Sequence, residues 1–425
     1  MTVEELVRWD RPAPRYTSYP TVPAWEEIAP GVVESALGRI REPAQVYVHV
    51  PFCEQACLYC GCNMVEARLQ AAGDRYLDAL FRRLTALPLP GERLAVRRIH
   101  LGGGTPTWLS HAQLARLHAL LLTRFELTDA AELSVEADPM VTDQPQLELL
   151  AALGFSRVSF GIQSLDPRVL QAVQRTQDPR RIGELILRAR SLGMRVNLDL
   201  MVGLPHQDAG SVCETLDRVL DWAPDRIALF GYAHVPWLKP LQRRLPAHAL
   251  PNAPERVRAF LAAGQVLAGC GYVPIGLDHF ALPGDDLVGH RLHRNFMGYT
   301  TLADVDLIGL GMSAISDVAG VYWQQPSKLA RWLAGDPPVR GHVLSDEDLE
   351  RRAVINSLMC NLEVARDGDF DQLYADEIRS LGPLADAGIL ALEPHRIDVR
   401  ERLLVRLAAR VFDIHAGAGR FSQAL

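Results

Sequence analysis

The chain has 425 residues, of which 48% are hydrophobic, 22% charged and 7% aromatic, as in a globular protein with two or three hydrophobic cores. Charged residues or glycine interrupt every apolar run within about ten positions, which argues against a membrane-spanning helix. The net charge of −7 gives no general attraction for nucleic acid or anionic membranes, so neither is expected as a partner.

The N-terminal residues carry acidic groups where a signal peptide would carry basic ones, and no apolar segment follows them. We therefore expect a cytoplasmic protein. Arginine supplies nearly all of the positive charge, because only Lys239 and Lys328 are lysines. Recognition of buried carboxylates is thus expected to fall to guanidinium groups.

Residues 1–45 are rich in proline and lack a long periodic stretch, which predicts an N-terminal arm with one short helix near 31–40. From residue 46 onward, short β-rich runs alternate with helical patterns. The predicted strands are 46–50, 97–101, 133–136, 157–161, 196–202 and 226–232. The predicted helices between them are 74–87, 112–125, 144–153, 179–192 and 210–223.

This alternation requires a crossover after each strand, which predicts parallel strands. Six units indicate an α/β fold with an incomplete parallel (β/α)6 barrel, whose core spans about 46–233 of a catalytic domain over 46–340. A mixed region follows the barrel, after a helix at 253–268. From about residue 345 the pattern is helical, with a strand near Ile397 and a helix at 401–412. We expect a small, mostly helical C-terminal domain over 341–425.

Cysteine, glycine and polar residues follow the predicted strands one after another. In parallel barrels the carboxyl ends of the strands carry the chemistry, so these positions are expected to converge at one end of the barrel. In chain order they are the cysteine cluster after the first strand, Gly102 to Thr105 after the second, Glu136 on the third, Gln163 after the fourth, Asp199 on the fifth and Ala233 after the sixth.

Four of the seven cysteines, at 53, 57, 60 and 62, crowd into one loop. In a reducing compartment this crowding favours metal or redox chemistry over a disulfide framework. A structural zinc site usually takes two paired knuckles, and no second knuckle is present. Three thiolates on a tight loop can instead hold three corners of a cubane iron-sulfur cluster, and the spacing differs from the ferredoxin patterns that fill all four corners. The remaining cysteines, interpreted as core residues, are Cys213, Cys270 and Cys360.

The spacing Cys53-x3-Cys57-x2-Cys60 resembles the signature of the radical S-adenosylmethionine (SAM) superfamily. The segment 47–62, YVHVPFCEQACLYCGC, is more narrowly similar to the oxygen-independent coproporphyrinogen III oxidase family, including its extra Cys62. The cysteine motif alone specifies the superfamily, whereas the arm motif with Cys62 specifies the branch. Further motifs of the likeness, spread over nearly the whole chain, include 14–20, 102–107, 135–139, 161–163, 203–205, 278–280, 293–296, 298–301 and 311–316.

The resemblance implies a [4Fe-4S] cluster held by Cys53, Cys57 and Cys60, with SAM chelating the open iron. One electron, from a donor such as flavodoxin or ferredoxin, splits SAM to methionine and a 5'-deoxyadenosyl radical. The radical takes a hydrogen from the β-carbon of a propionate of coproporphyrinogen III. Loss of CO2 and one electron leaves a vinyl group, and two such reactions give protoporphyrinogen IX in haem biosynthesis. We also expect a monomeric protein.

The resemblance also implies site residues, each beside a structural alternative. Tyr47 is alternatively a core tyrosine, Glu136 a helix cap and Arg175 a solvated residue at a helix end. Arg15 and Arg294 are candidate contacts to the propionates, weighed equally against structural salt bridges. Cys62 is a candidate catalytic residue in substrate approach or hydrogen transfer. The implied contacts to a first SAM are Tyr47, Tyr59, Gly103, Gly104, Thr105, Glu136 and Ile315, and those to a second SAM are Gln163, Arg175, Asp199 and Ala233.

Other functions on the same scaffold stay open. One is a radical SAM haem-degrading methyltransferase or a related porphyrin-modifying enzyme. The arm motif at 15–20 argues against this alternative. Another is an iron-sulfur haem chaperone, which generally lacks Cys62 together with the arm. A zinc-bound structural protein is the third alternative.

Overall fold

The computed structural model describes residues 1–29, 31–338 and 340–425. In chain order the strands are β1 (Ala44–Val50), β2 (Phe52–Cys53), β3 (Val65–Glu66), β4 (Leu94–Gly103), β5 (Phe125–Ala137), β6 (Phe155–Gln163), β7 (Arg195–Val202), β8 (Arg226–Gly231), β9 (Val273–Ile275), β10 (His279–Ala281), β11 (His293–Asn295), β12 (Gly298–Thr300), β13 (Leu307–Leu310), β14 (Ile315–Val318), β15 (Val321–Gln324), β16 (Arg340–Val343), β17 (Glu363–Ala365), β18 (Leu390–Glu393) and β19 (Arg396–Val399).

The α-helices lie between and after these strands. They are α1 (Val3–Arg8), α2 (Val32–Leu37), α3 (Ala71–Thr85), α4 (His111–Leu122), α5 (Gln144–Ala152), α6 (Pro167–Ala172), α7 (Pro179–Ser191), α8 (Ala209–Leu220), α9 (Ala253–Gly269), α10 (Leu329–Ala334), α11 (Asp346–Asn361), α12 (Gly368–Leu373), α13 (Ala375–Asp386) and α14 (Val405–Val411). Among the described residues, none of the helices combines the length and the apolarity that crossing a bilayer requires.

Six parallel strands form the centre of the largest sheet. They pair in the order β1, β4, β5, β6, β7, β8, and a helix separates each pair of successive strands. The sheet runs on to other strands at both edges instead of joining β8 to β1. This arrangement confirms the predicted α/β fold with an incomplete parallel barrel.

The mixed region after β8 adds strands to both edges of this sheet. β10 pairs antiparallel with β8 and β9 extends that edge, whereas β13 pairs in parallel with β1 and leads to β14, β15 and β16. These added strands contain only three or four residues each. Such short segments carry too little periodicity to be recognised in a sequence, so the prediction did not resolve them.

A second hydrophobic core joins the N-terminal arm to the C-terminal helices. Leu6, Tyr16 and Tyr19 of the arm are fully or almost fully buried, as are Ile355 of α11 and Phe412 after α14. The C-terminal region is helical, as predicted, and also contains the antiparallel sheet β17-β19-β18. The division of the chain at residues 45 and 340 stays a prediction.

Candidate functional site

A cavity of about 610 Å³ opens at the carboxyl ends of the parallel strands. Residues that the sequence placed after different strands meet in its wall, as the barrel topology requires. The predicted site residues that line it are Cys53, Cys57, Tyr59, Cys60, Cys62, Gly103, Gly104, Thr105, Glu136, Gln163, Arg175 and Asp199.

Three predicted cofactor contacts lie outside this lining. Tyr47 lies on β1, and its hydroxyl is 3.0 Å from Nδ1 of His49. The carbonyl oxygen of Ala233 accepts a hydrogen bond from the side chain of Gln242 at 3.2 Å. Ile315 begins β14 and packs its backbone against Gly309, where an added Cβ would lie 2.3 Å from the Ile315 carbonyl oxygen.

The cysteine loop is fixed at both ends by backbone pairing. β2 pairs in parallel with β3, and the Glu66 carboxylate accepts a hydrogen bond from the Ala56 amide at 2.8 Å. Within the loop, the Cys60 amide donates to the Cys57 carbonyl at 3.1 Å, and Lys239 donates to the Asn63 side chain at 3.1 Å. These bonds hold the loop as a turn around the thiols.

Each of the three predicted ligand thiols has a polar neighbour. Sγ of Cys53 is 3.4 Å from the Thr105 hydroxyl, Sγ of Cys57 is 3.4 Å from Arg175 Nη1, and Sγ of Cys60 is 3.4 Å from the Cys62 amide. Burial raises the pKa of Cys53 to about 12, whereas hydrogen bonds from Cys62 lower the pKa of Cys60 to about 6. The donors at Cys60 favour the thiolate form that a metal ligand requires.

The separation of the thiols suits a polynuclear cluster better than a single zinc ion. A tetrahedral zinc ion with Zn–S bonds of about 2.3 Å brings its sulfur ligands to about 3.8 Å from one another. Among the residues that the structure describes, the three thiols do not form a group whose sulfur atoms all lie within 4.8 Å. At least one pair of these thiols is therefore farther apart than a single zinc ion holds its ligands, and three cysteine thiols are the donors that an iron-sulfur cluster takes.

Glu136 presents a carboxylate to the cavity at the end of β5. His100 Nε2 lies 3.3 Å from Oε1, and the Gly103 amide donates to Oε2 at 3.1 Å. Burial alone would raise the pKa of this carboxyl, but the hydrogen bonds from His100 and Gly103 hold it below its ordinary value. The carboxylate is thus charged and is held by two protein groups, while 43% of its side chain remains exposed.

Arg175 connects the cysteine loop to the ends of two strands. Besides Cys57, its guanidinium contacts the Asp138 carboxylate at 3.1 Å and the carbonyl oxygen of Gly161. Its side chain is only 9% exposed, so the alternative of a solvated helix-end residue does not describe it. Next to it, Gln163 adopts a φ of 66°, a left-handed conformation that few non-glycine residues take.

Asp199 of β7 is a further acidic residue that lines the cavity. Its carboxylate accepts hydrogen bonds from Ser159 at 2.9 Å and from Asn197 at 2.8 Å. Burial, together with the negative charge of Glu136, raises the pKa of Asp199 to about 6. The cavity therefore contains two carboxylates whose mutual repulsion a cationic ligand would relieve.

The sequence did not assign several residues that shape this site. Asp138, His49 and His100 all hold predicted site residues in place, and buried Gln242 donates to the carbonyl oxygens of both Tyr59 and Ala233. His49 and His100 carry a usable signal, because each lies two residues from a predicted site position on the same face of a strand. Gln242 carries none, since it lies in a short 3-10 helix and one of its partners, Tyr59, is far away in the sequence.

The two candidate substrate arginines lie elsewhere. Arg15 and Arg294 line a smaller second cavity, together with Asp278 and Gly231. An Arg15 Nη2 group donates to the Gly231 carbonyl oxygen at 2.5 Å. Neither arginine has a carboxylate oxygen within 4.0 Å among the described residues, so the alternative of a structural salt bridge lacks its expected partner.

Comparison with known proteins places this geometry in a family. Residues 47–219 match the model of the Radical SAM superfamily. The oxygen-independent coproporphyrinogen III oxidase of Synechocystis sp. is 38% identical over 97% of this chain and 95% of the relative, and that of Escherichia coli is 38% identical over 96% and 94%. The chain belongs to the oxygen-independent coproporphyrinogen III oxidase family.

A solved structure of a family member has the same fold. The coproporphyrinogen III oxidase of Escherichia coli, described as a radical SAM enzyme, superposes with a TM-score of 0.89 at 37% identity, covering 94% of this chain and 97% of that chain. This protein is accordingly a radical SAM oxidoreductase. Membership of the superfamily implies a [4Fe-4S] cluster and SAM as its cofactors.

Proposed function

We propose that this protein converts coproporphyrinogen III to protoporphyrinogen IX without oxygen, by oxidative decarboxylation of two propionates in haem biosynthesis. The observation that carries the proposal is the loop of three thiols at the wall of the main cavity, with Cys62 beside them. Family relatives of nearly the same length, named for this activity, support it. Cys53, Cys57 and Cys60 are the proposed cluster ligands.

When bound, the cluster and SAM supply the one-electron chemistry that activates a propionate for loss of CO2. The chain supplies binding and orientation. Arg175 donates to Sγ of Cys57 and ties the loop to Asp138. Glu136 offers carboxylate oxygens to the amino and hydroxyl groups of SAM, and the remaining proposed contacts to the first SAM are Tyr47, Tyr59, Gly103, Gly104, Thr105 and Ile315.

A second SAM is part of the proposal, with Gln163, Arg175, Asp199 and Ala233 as its contacts. The support is electrostatic, because the pKa of Asp199 is raised by burial and by the charge of Glu136. The positive sulfonium and ammonium groups of SAM would offset this repulsion between two cavity carboxylates.

The substrate and partner assignments complete the proposal. Arg15 and Arg294 contact propionates, and Cys62, which is exposed at the cavity, takes part in substrate approach or hydrogen transfer. The protein acts as a monomer and receives its electron from a carrier such as flavodoxin or ferredoxin. We place it in the cytoplasm, where its free thiols stay reduced.

The decisive experiment is an anaerobic incubation of the reconstituted protein with coproporphyrinogen III, SAM and a reductant. We expect release of CO2, and we expect Cys53→Ala, Cys57→Ala and Cys60→Ala each to abolish both CO2 release and the brown iron-sulfur chromophore. Cys62→Ala should keep the chromophore and lose turnover. Cys270→Ala, at an exposed position far from the loop in sequence, is the matched control and should keep both.

Three results would contradict the proposal. Tight haem binding without CO2 release would indicate a haem chaperone, and methyl transfer to haem would indicate a haem-degrading methyltransferase. Full activity after loss of any one of the three ligand cysteines would overturn the cluster assignment.

A further inference from the structure

A second cavity lies behind the main one, between the N-terminal arm, the end of β8 and the C-terminal segment. It offers about 50 Å³, and its lining includes Arg15, Gly231, Asp278, Arg294 and Arg406. A water molecule needs about 10–15 Å³ by the same measure. The cavity therefore has room for a carboxylate group with its last carbon atoms, but not for a tetrapyrrole ring.

Three guanidinium groups at or beside this cavity have buried nitrogen atoms without acceptors. Arg15 and Arg294 line the cavity, whereas Arg402 precedes the lining residue Leu403 and lies over the Phe280 ring at 5.1 Å. The nitrogen atoms are Nε of Arg15, Nε and Nη1 of Arg294, and Nε and Nη2 of Arg402, none of which has a hydrogen-bond partner among the described residues. A buried donor of a charged group that lacks an acceptor costs more free energy than a neutral one. So many unpaired donors in one place indicate that an acceptor is missing from the protein itself.

The charges of the cluster are unbalanced as well. Asp278 is the carboxylate nearest to the three arginines, and its Oδ1 is 2.8 Å from Nδ1 of His279. Burial alone would raise the pKa of Asp278, but His279, Arg294 and Arg15 hold it well below its ordinary value. No arginine nitrogen in the described part of the chain comes within 4.0 Å of this carboxylate.

Arg406 lines the same cavity, but each of its three guanidinium nitrogens has a hydrogen-bond acceptor. Its Nε donates to the Pro14 carbonyl at 3.0 Å, its Nη1 to the Gln423 and Ala424 carbonyls at 2.9 and 3.0 Å, and its Nη2 to the Ala13 carbonyl. Arg406 therefore has a structural role, which distinguishes it from Arg294 and Arg402.

The cluster is adjacent to the main cavity. Phe230 and His279 line the main cavity, while Gly231 and Asp278, the next residues in the chain, line the second one. Tyr299 lines the main cavity, and the Arg294 guanidinium lies over its ring at 5.1 Å. A ligand in the main cavity thus has the arginine cluster directly behind this wall.

We propose that Arg15, Arg294 and Arg402 form a pocket for one carboxylate of the substrate, a propionate that does not react. This inference rests on the proposed function. The reacting propionate belongs in the main cavity with the cysteine loop, so the arginine pocket takes a propionate from another edge of the same molecule. Bidentate contact of guanidinium with carboxylate supplies the missing acceptors and the missing negative charge together.

The test measures equilibrium binding of coproporphyrinogen III under anaerobic conditions to the full-length protein with its cluster. Arg294→Gln and Arg402→Gln are each expected to weaken binding by about tenfold to hundredfold, the usual effect of losing a charge-assisted hydrogen bond. Arg180→Gln is the matched control, because its side chain is 83% exposed and should leave affinity unchanged. The tetramethyl ester of the substrate should bind all four proteins alike, because it lacks the carboxylates.

Thermal unfolding without substrate distinguishes binding from a structural role. Removing a guanidinium whose Nε and Nη2 have no hydrogen-bond acceptors should change the unfolding temperature of Arg402→Gln little, because its contact with the Phe280 ring at 5.1 Å is the interaction lost. A structural arginine would give a lower unfolding temperature with unchanged affinity, and this result would overturn the proposal. Arg402→Lys, which keeps the charge, serves as the second variant should the glutamine variant fail to fold, and it is expected to bind less tightly than the unmodified protein.

The outcomes separate this inference from the proposed function. If the unmodified protein binds no coproporphyrinogen III, the proposed function itself fails. If it binds the substrate and both glutamine variants bind equally tightly, only the arginine pocket is overturned. If acetate or phosphate raises the unfolding temperature of the unmodified protein alone, while substrate affinity is the same in every variant, the pocket holds a free anion and the propionate assignment is wrong.

Discussion

The Asp199 carboxylate illustrates how single residues set the electrostatics of the site. It has two hydrogen-bond donors, Ser159 and Asn197, and still its pKa is raised to about 6 by burial and by Glu136. A carboxyl whose folded-state pKa is raised stabilises the fold below its unfolded pKa of about 3.9, and this stability is lost as the pH rises through 6. The ligand-free protein is therefore less stable at pH 8 because of this residue.

We expect Asp199→Asn to gain stability relative to the unmodified protein as the pH rises from 5 to 8. The gain should be about 1–2 kcal/mol, given a shift of about two pKa units in a partly exposed side chain. Thermal unfolding of the SAM-free protein at both pH values measures this gain. The substitution also changes the hydrogen bonds of residue 199, but that effect is the same at both pH values and drops out of the difference. Asp376→Asn, at a side chain that is 85% exposed, is the control. An equal effect at pH 5 and pH 8 would contradict the raised pKa.

Some contacts of single residues could be predicted from the sequence, and others could not. The spacing of Cys53, Cys57 and Cys60 is local, so the thiol loop was predictable from a short segment. The contact of Arg175 with Asp138 joins two different loops, and the grouping of Arg402 with Arg294 joins segments more than a hundred residues apart in the chain. No local pattern encodes such pairs, because they depend on how the elements pack.

At the scale of elements, the glycine run at the end of β4 lets neighbouring groups approach closely. A Cβ on Gly103 would lie 2.6 Å from the His49 ring, and one on Gly104 would lie 2.7 Å from the Pro51 carbonyl and 2.8 Å from the Phe52 oxygen. Part of the space that the sequence suggested for a ligand is thus filled by protein groups. The glycines allow β1 and the start of the cysteine loop to pack against β4.

We expect Gly104→Ala to lower the free energy of unfolding by about 1–3 kcal/mol, because the contacting atoms are backbone atoms that cannot rotate away. The displaced loop should also bind less iron on reconstitution. Denaturant unfolding and an iron assay measure the two effects. Gly382→Ala in α13 is the control, since it has open space and should gain about 0.5–1 kcal/mol. Normal stability and iron content in Gly104→Ala would exclude this packing role.

Elements were predictable where their patterns were long. The six central strands were all recognised, but β5 is 13 residues long and the prediction covered only 133–136. Its first residues, 125–127, pair with 94–96 of β4, and the pairing resumes at Glu132 only after a register shift. This interruption breaks the alternation of apolar and polar residues that would have marked the whole strand in the sequence. Helix α1 was not predicted because it has only six residues. Thr2 and Glu5 form a capping box at its start, and this pattern is visible in the sequence.

At the scale of the whole molecule, Arg406 joins the two ends of the chain. Its guanidinium binds carbonyl groups of Ala13, Pro14, Gln423 and Ala424, and Arg410 binds the Pro12 carbonyl. Backbone carbonyls that are buried without a donor are costly. The arm therefore depends on α14 for its position over the barrel.

We expect Arg406→Leu to release the arm, because four carbonyl groups lose their donor at once. Trypsin should then cleave within residues 8–15 several times faster than in the unmodified protein, as measured by mass spectrometry of the early fragments. Arg379→Gln, at a side chain that is 76% exposed, provides the control and should leave the cleavage rate unchanged. An unaltered fragment pattern in Arg406→Leu would show that the hydrophobic contacts of Tyr16 and Tyr19 suffice to hold the arm.

The pairing of β1 with β13 has a consequence for biogenesis. During translation, the outer edge of β1 lacks its neighbour until residues Leu307–Leu310 leave the ribosome, about 260 residues later. At a synthesis rate of about 5–20 residues per second this interval lasts roughly 10–50 s. Throughout this interval, the cysteine loop follows a strand whose backbone groups on one edge have no hydrogen-bond partners from β13.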